Sequence, residues 1–149
     1  MSENRSASEQ RCVFCTIAAG DVDASRVYED EVVVAFMDTN PVTPGHLLVV
    51  PREHAVGFED VDDATSTHVW RIGHQIARAL RRSSISSDGI NMFVADGEAA
   101  FQTVFHFHLH VIPRSPGDGW SINAVSHRRD WSLLESDAAA IREAIPSIR

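Results

Sequence analysis

Cysteine is scarce: Cys12 and Cys15 are the only two in 149 residues, so no disulfide framework organises the chain. In a reducing compartment such a pair serves thiol chemistry or metal binding before a structural bridge. Long apolar runs are missing too, and without about 18 consecutive apolar residues no membrane-spanning helix is expected. Basic side chains are outnumbered, 13 Lys plus Arg against 21 Asp plus Glu, for a formal charge of -8. That balance argues against a nucleic-acid surface, which needs clustered cations for the phosphate backbone. A pocket for one nucleotide stays open, because backbone N–H groups can hold phosphate without a basic domain. The first residues are polar and carry no apolar signal core, so a cytoplasmic location is expected, with residues 1–10 as a flexible tail.

What remains is an ordinary globular composition, 44% hydrophobic, over a length that suits one domain, residues 11–149. Eight histidines are present, and three fall at alternate positions in Thr103-Val104-Phe105-His106-Phe107-His108-Leu109-His110-Val111-Ile112-Pro113. A strand has a side-chain period of two. An extended reading therefore puts His106, His108 and His110 on one face and Phe105, Phe107, Leu109 and Val111 on the other. Neutral imidazole offers one donor and one acceptor nitrogen, so such a row can attack phosphorus, shuttle protons or bind a metal. A single catalytic metal shared by all three is disfavoured: they spread over about 13 Å of extended chain, while zinc ligands converge within about 2.1 Å of the ion.

Strands are expected over residues 26–29 and 32–37 across a turn at Asp30-Glu31, then over 46–50 and 89–95. Between the second and third lies a rigid loop with Pro41, Pro44 and Gly45, where glycine allows close approach or positive φ. Residues 62–82 carry the apolar spacing of the main helix, with Val69, Ile72 or Gly73, Ile76, Ala77 and Leu80 inward and Arg78, Arg81 and Arg82 toward its C-terminal end. His68 and His74 read as surface or edge residues without a partner. A terminal helix over residues 133–145 should bury Leu134, Ala138, Ile141 and Ile145. Cys12-x-x-Cys15 allows a redox pair, half of a zinc site or plain packing. The redox version expects a preceding strand and a long following helix, and neither is apparent.

The segment from Gln102 to Arg114, with its His-x-His-x-His followed by apolar residues, resembles the signature of the histidine triad (HIT) nucleotide hydrolase and transferase family. Tyr28-Glu29-Asp30-Glu31, Asp38, Pro44-Gly45-His46-Leu47-Leu48-Val49-Val50-Pro51-Arg52-Glu53-His54 and Asp96-Gly97 extend the likeness over residues 12 to 116. The resemblance implies an α+β fold with a five-stranded, mainly antiparallel sheet, one long helix packed on it, a short C-terminal helix, and a homodimer. It implies hydrolysis of dinucleoside polyphosphates or nucleoside phosphoramidates, with His108 as nucleophile and His110, Gln102 and Thr103 as donors to the phosphoryl oxygens. Asp38 corresponds to the ribose contact. Phe14, Ile17, Phe36 and Leu48 are candidates for an apolar slot that takes a purine base. Like the bacterial zinc-containing type, the chain has residues matching a structural zinc site: Cys12, Cys15, His54 and His106. Two positions depart from the family pattern, Phe101 where glycine is usual and Ala95 where asparagine is common, and both are expected to weaken or shift substrate use. A family fold retained as a catalytically weak nucleotide-binding or regulatory module is the non-enzymatic alternative.

Overall fold

The computed structural model describes residues 12–148; the expected tail over residues 1–10 lies outside them. The chain begins with helix α1 (Val13–Ala19). Strands β1 (Arg26–Glu29), β2 (Val33–Met37) and β3 (Leu47–Pro51) follow. Then come the long helix α2 (Asp63–Arg82), β4 (Gly89–Val94), a 3-10 turn (Glu98–Ala100), β5 (Leu109–Arg114) and α3 (Trp131–Ala144). All five strands form one sheet in the order β1-β2-β3-β5-β4, each neighbour antiparallel. The expected α+β fold is therefore present. Because α2 carries the chain from β3 past one position to β4, the last strand is inserted between them. The histidine-bearing segment thus becomes a central strand.

Alternation along the strands makes two cores. Val33, Ala35, Leu47, Val49, Leu109 and Val111 face α2 and pack against Val69, Ile72, Ile76 and Leu80. On the other face Val34, Phe36, Leu48 and Val50 pack under α1 against Phe14 and Ile17. Each such side chain removed from water contributes on the order of 1.5–3 kcal/mol, so the central strands, apolar on both faces, anchor the molecule.

Local chemistry sets the helix ends. Asp62 caps α2, accepting the Thr65 N–H at 2.7 Å. Gly20, at φ 82°, stops α1 with a backbone bond to Ile17, while the next N–H returns to Thr16. The last carbonyls of α1 are closed by guanidinium groups, Ile17 by Arg26 at 2.8 Å and Ala18 by Arg52 at 2.6 Å. Gly45 needs both freedoms expected of it. Its φ is 94°, and a Cβ there would come within 2.9 Å of Ile85 and of Pro113. Gly73 lets α2 lie close on the sheet, since a Cβ would approach Leu109 Cδ2 to 2.4 Å.

Three expectations change. The extended segment starts at Leu109, not at Thr103: pairing with β3 and β4 ends at Val49 and Val94, both opposite Leu109, and the Phe107 N–H goes instead to the Ala55 carbonyl. That lead-in bends instead, with His106 N–H on the Val104 carbonyl, and Phe105 is left 45% exposed rather than in the core. His68 is not partnerless: its Nε2 lies 2.7 Å from Asp30 Oδ2, tying α2 to the β1–β2 turn. Finally, α3 forms but buries nothing; Leu134 is 44% and Ile141 64% exposed. Its apolar face has the expected period, and no surface within the described residues of this chain covers it.

Candidate active site

Register places the site. Phe36 pairs with Leu48, Leu48 with His110, and His110 with Phe93, so one row on one face of the sheet runs across β2, β3, β5 and β4. His106 and His108 precede this row on the same side, beside α1: the Phe14 ring lies 5.9 Å from that of His106 and 5.1 Å from that of His108. The alternation read from the sequence survives the bent backbone, since Phe107 and Leu109 still enter the opposite core.

Hydrogen bonds assign a proton to each ring. His108 Nδ1 is 2.6 Å from the carbonyl oxygen of His106, which can only accept, so Nδ1 carries the hydrogen and Nε2 keeps its lone pair. His106 Nε2 lies 2.7 Å from the Pro51 carbonyl, which leaves its Nδ1 lone pair free. His46 Nδ1 accepts the Val42 N–H at 3.0 Å, so its hydrogen sits on Nε2 and points at His110 Nδ1, 3.0 Å away. His110 is therefore protonated on Nε2. No described residue bonds Nε2 of His108 or of His110, and neither atom is a buried orphan. A lone pair and an N–H are thus presented side by side, from rings 4.8 Å apart, to whatever enters.

Burial keeps these rings neutral. It pushes His110 down to about 4, helped by neighbouring His108 and His46 and opposed by Asp38. His106 also falls to about 4, chiefly by burial, and burial lowers His46 and His108 as well.

The residues expected to hold a metal do come together. Cys12 Sγ is 3.3 Å and Cys15 Sγ 3.4 Å from His106 Nδ1. His54 Nδ1 is 3.3 Å from Cys15 Sγ and 3.2 Å from His106 Nδ1. Bonds of about 2.0–2.3 Å in a tetrahedron separate ligand atoms by roughly 3.3–3.8 Å. The donor set and its spacing therefore fit a four-coordinate ion, and the free lone pair of His106 faces into it. Asp38, His46 and His110 form a second cluster of potential ligand atoms. There the proton on His46 Nε2 leaves that atom without a lone pair and is donated to His110, while Asp38, 3.6 Å from the same nitrogen, acts on the pair through its charge.

Other expected residues are placed as follows. Phe14, Ile17, Phe36 and Leu48 share one buried cluster beside the histidines. Asp38 lies at the end of β2, 3.6 Å from His46 Nε2, with its other oxygen on the Asn40 N–H. Thr103 is exposed. Gln102 is buried and already engaged: Oε1 accepts the Gly97 N–H at 2.8 Å, and Nε2 donates to the Val56 and Val104 carbonyls at 2.8 and 3.3 Å. Its amide braces the loop that delivers the histidines. Phe101 holds a left-handed φ of 69° with its ring 87% exposed, so its cost is backbone strain rather than crowding. Sequence reasoning missed the His46–His110 bond and the stacking of Phe93 on His110. The first depends on the pairing of β5 with β3, remote in the sequence, and the second on the register of β5 against β4 across the loop between them.

A HIT domain family model matches residues 19–117, and the chain belongs to the HIT domain family. An uncharacterised HIT-like protein of Mycobacterium tuberculosis is 42% identical over 135 residues, covering 90% of this chain and 92% of its own. The crystal structure of SMU.412c from Streptococcus mutans superposes with a TM-score of 0.85 at 38% identity, over 97% of this chain and 87% of that one. A zinc-bound histidine triad family protein from Mycobacterium smegmatis has a TM-score of 0.72 at 43% identity, over 91% and 99%. The site is thus a histidine-triad site of that family, with His110 on the central strand β5 and His106 and His108 in the segment that leads into it.

Proposed function

We propose that this protein is a nucleotide hydrolase or nucleotidyltransferase acting on dinucleoside polyphosphates or nucleoside phosphoramidates, with a nucleotidyl-histidine intermediate. The observation that carries the reading is the bond from His108 Nδ1–H to the His106 carbonyl, because it leaves the Nε2 lone pair with no partner among the described residues. In the first step that lone pair forms a bond to phosphorus while the bond from phosphorus to the leaving group breaks. The electron pair departs with the leaving group, which takes up a proton. In the second step water displaces His108, releasing the mononucleotide and a proton, or a phosphate acceptor displaces it, giving the nucleoside diphosphate. His110 Nε2–H donates to the phosphoryl oxygen as negative charge builds, a donor fixed before reaction and so needing little reorganisation. Asp38 accepts from ribose hydroxyls, Thr103 and backbone N–H groups assist at the phosphate, and Gln102 shapes the loop. The base lies against Phe14, Ile17, Phe36 and Leu48, an apolar slot that favours a purine but discriminates poorly between purines.

Cys12, Cys15, His54 and His106 would hold zinc with all four positions filled by protein, which makes it a brace for α1 and not a reactant. Reduced thiols in the cytoplasm suit that role. We further propose that the single domain, residues 11–149, works as a homodimer without nucleic-acid or membrane partners; no helix of the described residues is long and apolar enough to cross a membrane.

The test is intact-protein mass measurement after brief exposure to adenosine and guanosine substrates of both classes. Wild type should gain an acid-labile nucleotide mass that His108→Ala cannot acquire, with turnover reduced about 1,000-fold or more. Binding without any mass gain would select the regulatory-module reading, and cleavage at the original rate by His108→Ala would refute the mechanism.

A further inference from the structure

His110 is held in two ways. Its Nδ1 accepts from His46 at 3.0 Å, and one face of its ring lies on Phe93, with centroids 4.5 Å apart and planes 20° from parallel. The hydrogen bond fixes one atom of the ring and leaves the plane free to rock about it. A stacked neighbour removes that freedom, and the plane sets where Nε2–H points. Phe93 belongs to neither core cluster, so packing of the sheet faces does not account for an aromatic ring at this edge-strand position.

The stack continues outward. Trp120 follows Phe93 at 6.2 Å and 26°, and the Arg114 guanidinium lies 4.6 Å from the Trp120 ring centroid. Arg114 is itself fixed on several sides. It donates to Asp118 Oδ2 at 2.6 Å and Oδ1 at 2.9 Å, to Asn91 Oδ1 at 2.7 Å, and to the Trp120 carbonyl. Asp118 also accepts the N–H groups of Ser115 and Trp120, each at 3.2 Å. The turn after β5 is wound around one guanidinium, and the result is a fixed Trp120 behind Phe93. Register permits the arrangement: Phe93 pairs with His110, and Gly89, having no side chain, is the residue opposite Arg114.

We propose that Phe93 is a positioning residue for nucleotidyl transfer, fixing the ring plane in which His110 presents Nε2–H to the phosphoryl oxygen, with Trp120 and Arg114 as its backing. The inference rests on the assignment of His108 and His110 above. Transition-state contacts are sensitive to placement: a displacement of about 1 Å costs about 100-fold. A ring left to rock is expected to cost about tenfold in kcat.

The experiment measures steady-state rates for Phe93→Leu, Phe93→Tyr and Trp120→Leu, together with the mass label and ¹⁵N imidazole spectra. Phe93→Leu should lose about tenfold in kcat with KM within about twofold, and Phe93→Tyr should restore the rate. Trp120→Leu, acting from behind, should lose about threefold and serves if Phe93→Leu does not fold. In the free protein the His110 Nε2–H resonance should persist in wild type and Phe93→Tyr and broaden in Phe93→Leu. If wild type takes up label and Phe93→Leu keeps its kcat, or Phe93→Tyr falls as far, the positioning role is wrong. A wild type that never takes up label would instead overturn the underlying nucleotidyl-transfer assignment, and the proposal with it.

Discussion

The His46–His110 hydrogen bond makes a prediction about pH. Protonating His110 would place a hydrogen on Nδ1 facing the Nε2–H of His46, two donors across 3.0 Å. The groups facing His110 are His46 just before β3, His108 in the lead-in to β5 and Asp38 after β2, of which only Asp38 favours the charged ring. Burial dominates and holds His110 down to about 4, whereas the unfolded chain titrates at the ordinary value near 6.5. Between those values the unfolded state binds more protons, so stability is full above about 6.5 and declines as pH falls toward 4. Turnover should hold to near pH 5 and then fall, whereas the unfolding midpoint should already drop as pH falls from about 6.5 toward 4. Replacing His110 with glutamine should flatten the dependence of stability on pH; an unchanged slope would show that His110 does not carry it. Phe101 makes a second prediction. It sits in the left-handed region, which costs roughly 1–2 kcal/mol for an L-residue, and its exposed ring returns no packing. Glycine there loses more chain entropy on folding, so Phe101→Gly should stabilise by a net ~0.5–1 kcal/mol, raising the denaturation midpoint.

Among the elements, α1 has the most to lose from metal removal. It is seven residues long, too short to persist alone, and its attachments are Cys12 and Cys15, the two guanidinium bonds at its end, and Phe14 and Ile17 in the lower core. If the proposed zinc is bound, chelation should therefore raise proteolytic cleavage near residues 13–20 and raise KM several-fold, because the same helix walls the proposed base slot. The kcat of the still-folded protein should fall little, since His108 and His110 are held by carbonyl, imidazole and Phe93 contacts that contain no metal. Immediate and complete loss of kcat with the sheet intact would instead mean that the ion takes part in the chemistry. The elements also show how far the sequence could be read. β2, β3 and α2 were legible from apolar period and from Asp62, because each signal is local. The start of β5 was not, because the Phe107 N–H leaves the ladder for the Ala55 carbonyl beyond β3, a contact between segments far apart in the sequence. Zinc-type ligands were legible by family likeness, whereas Phe93 was hidden by the loop of residues 95–108, whose length conceals the β4–β5 register.

Over the whole molecule, the apolar surface left uncovered among the described residues includes two patches large enough to bind another copy. Beside α2 a groove of about 440 Å³ is lined by Phe58, Val69, Trp70, Val94 and Phe107, with Phe58 57% and Trp70 55% exposed. It adjoins β4, whose outer edge has no strand partner among the described residues. The second place is α3, where Trp131, Leu133, Leu134 and Ile141 all face solvent. A helix of 14 residues is marginal in water without tertiary packing, and an unpaired edge strand is a template for another chain. A two-fold pairing of copies through α2 and β4 would bury the groove and close the edge with one self-complementary contact. Sedimentation should give twice the 16.4 kDa chain mass. Trp70→Glu should shift that equilibrium toward monomer by about 100-fold, the effect of one buried aromatic anchor worth roughly 3 kcal/mol. Leu134→Glu distinguishes the two surfaces: if it alone separates the copies, α3 is the contact and the α2 groove is not. If wild type sediments as a monomer at tens of micromolar, the homodimer is wrong. The His108 mechanism would survive that result, because every contact that orients His108, His110 and His46 comes from a single chain.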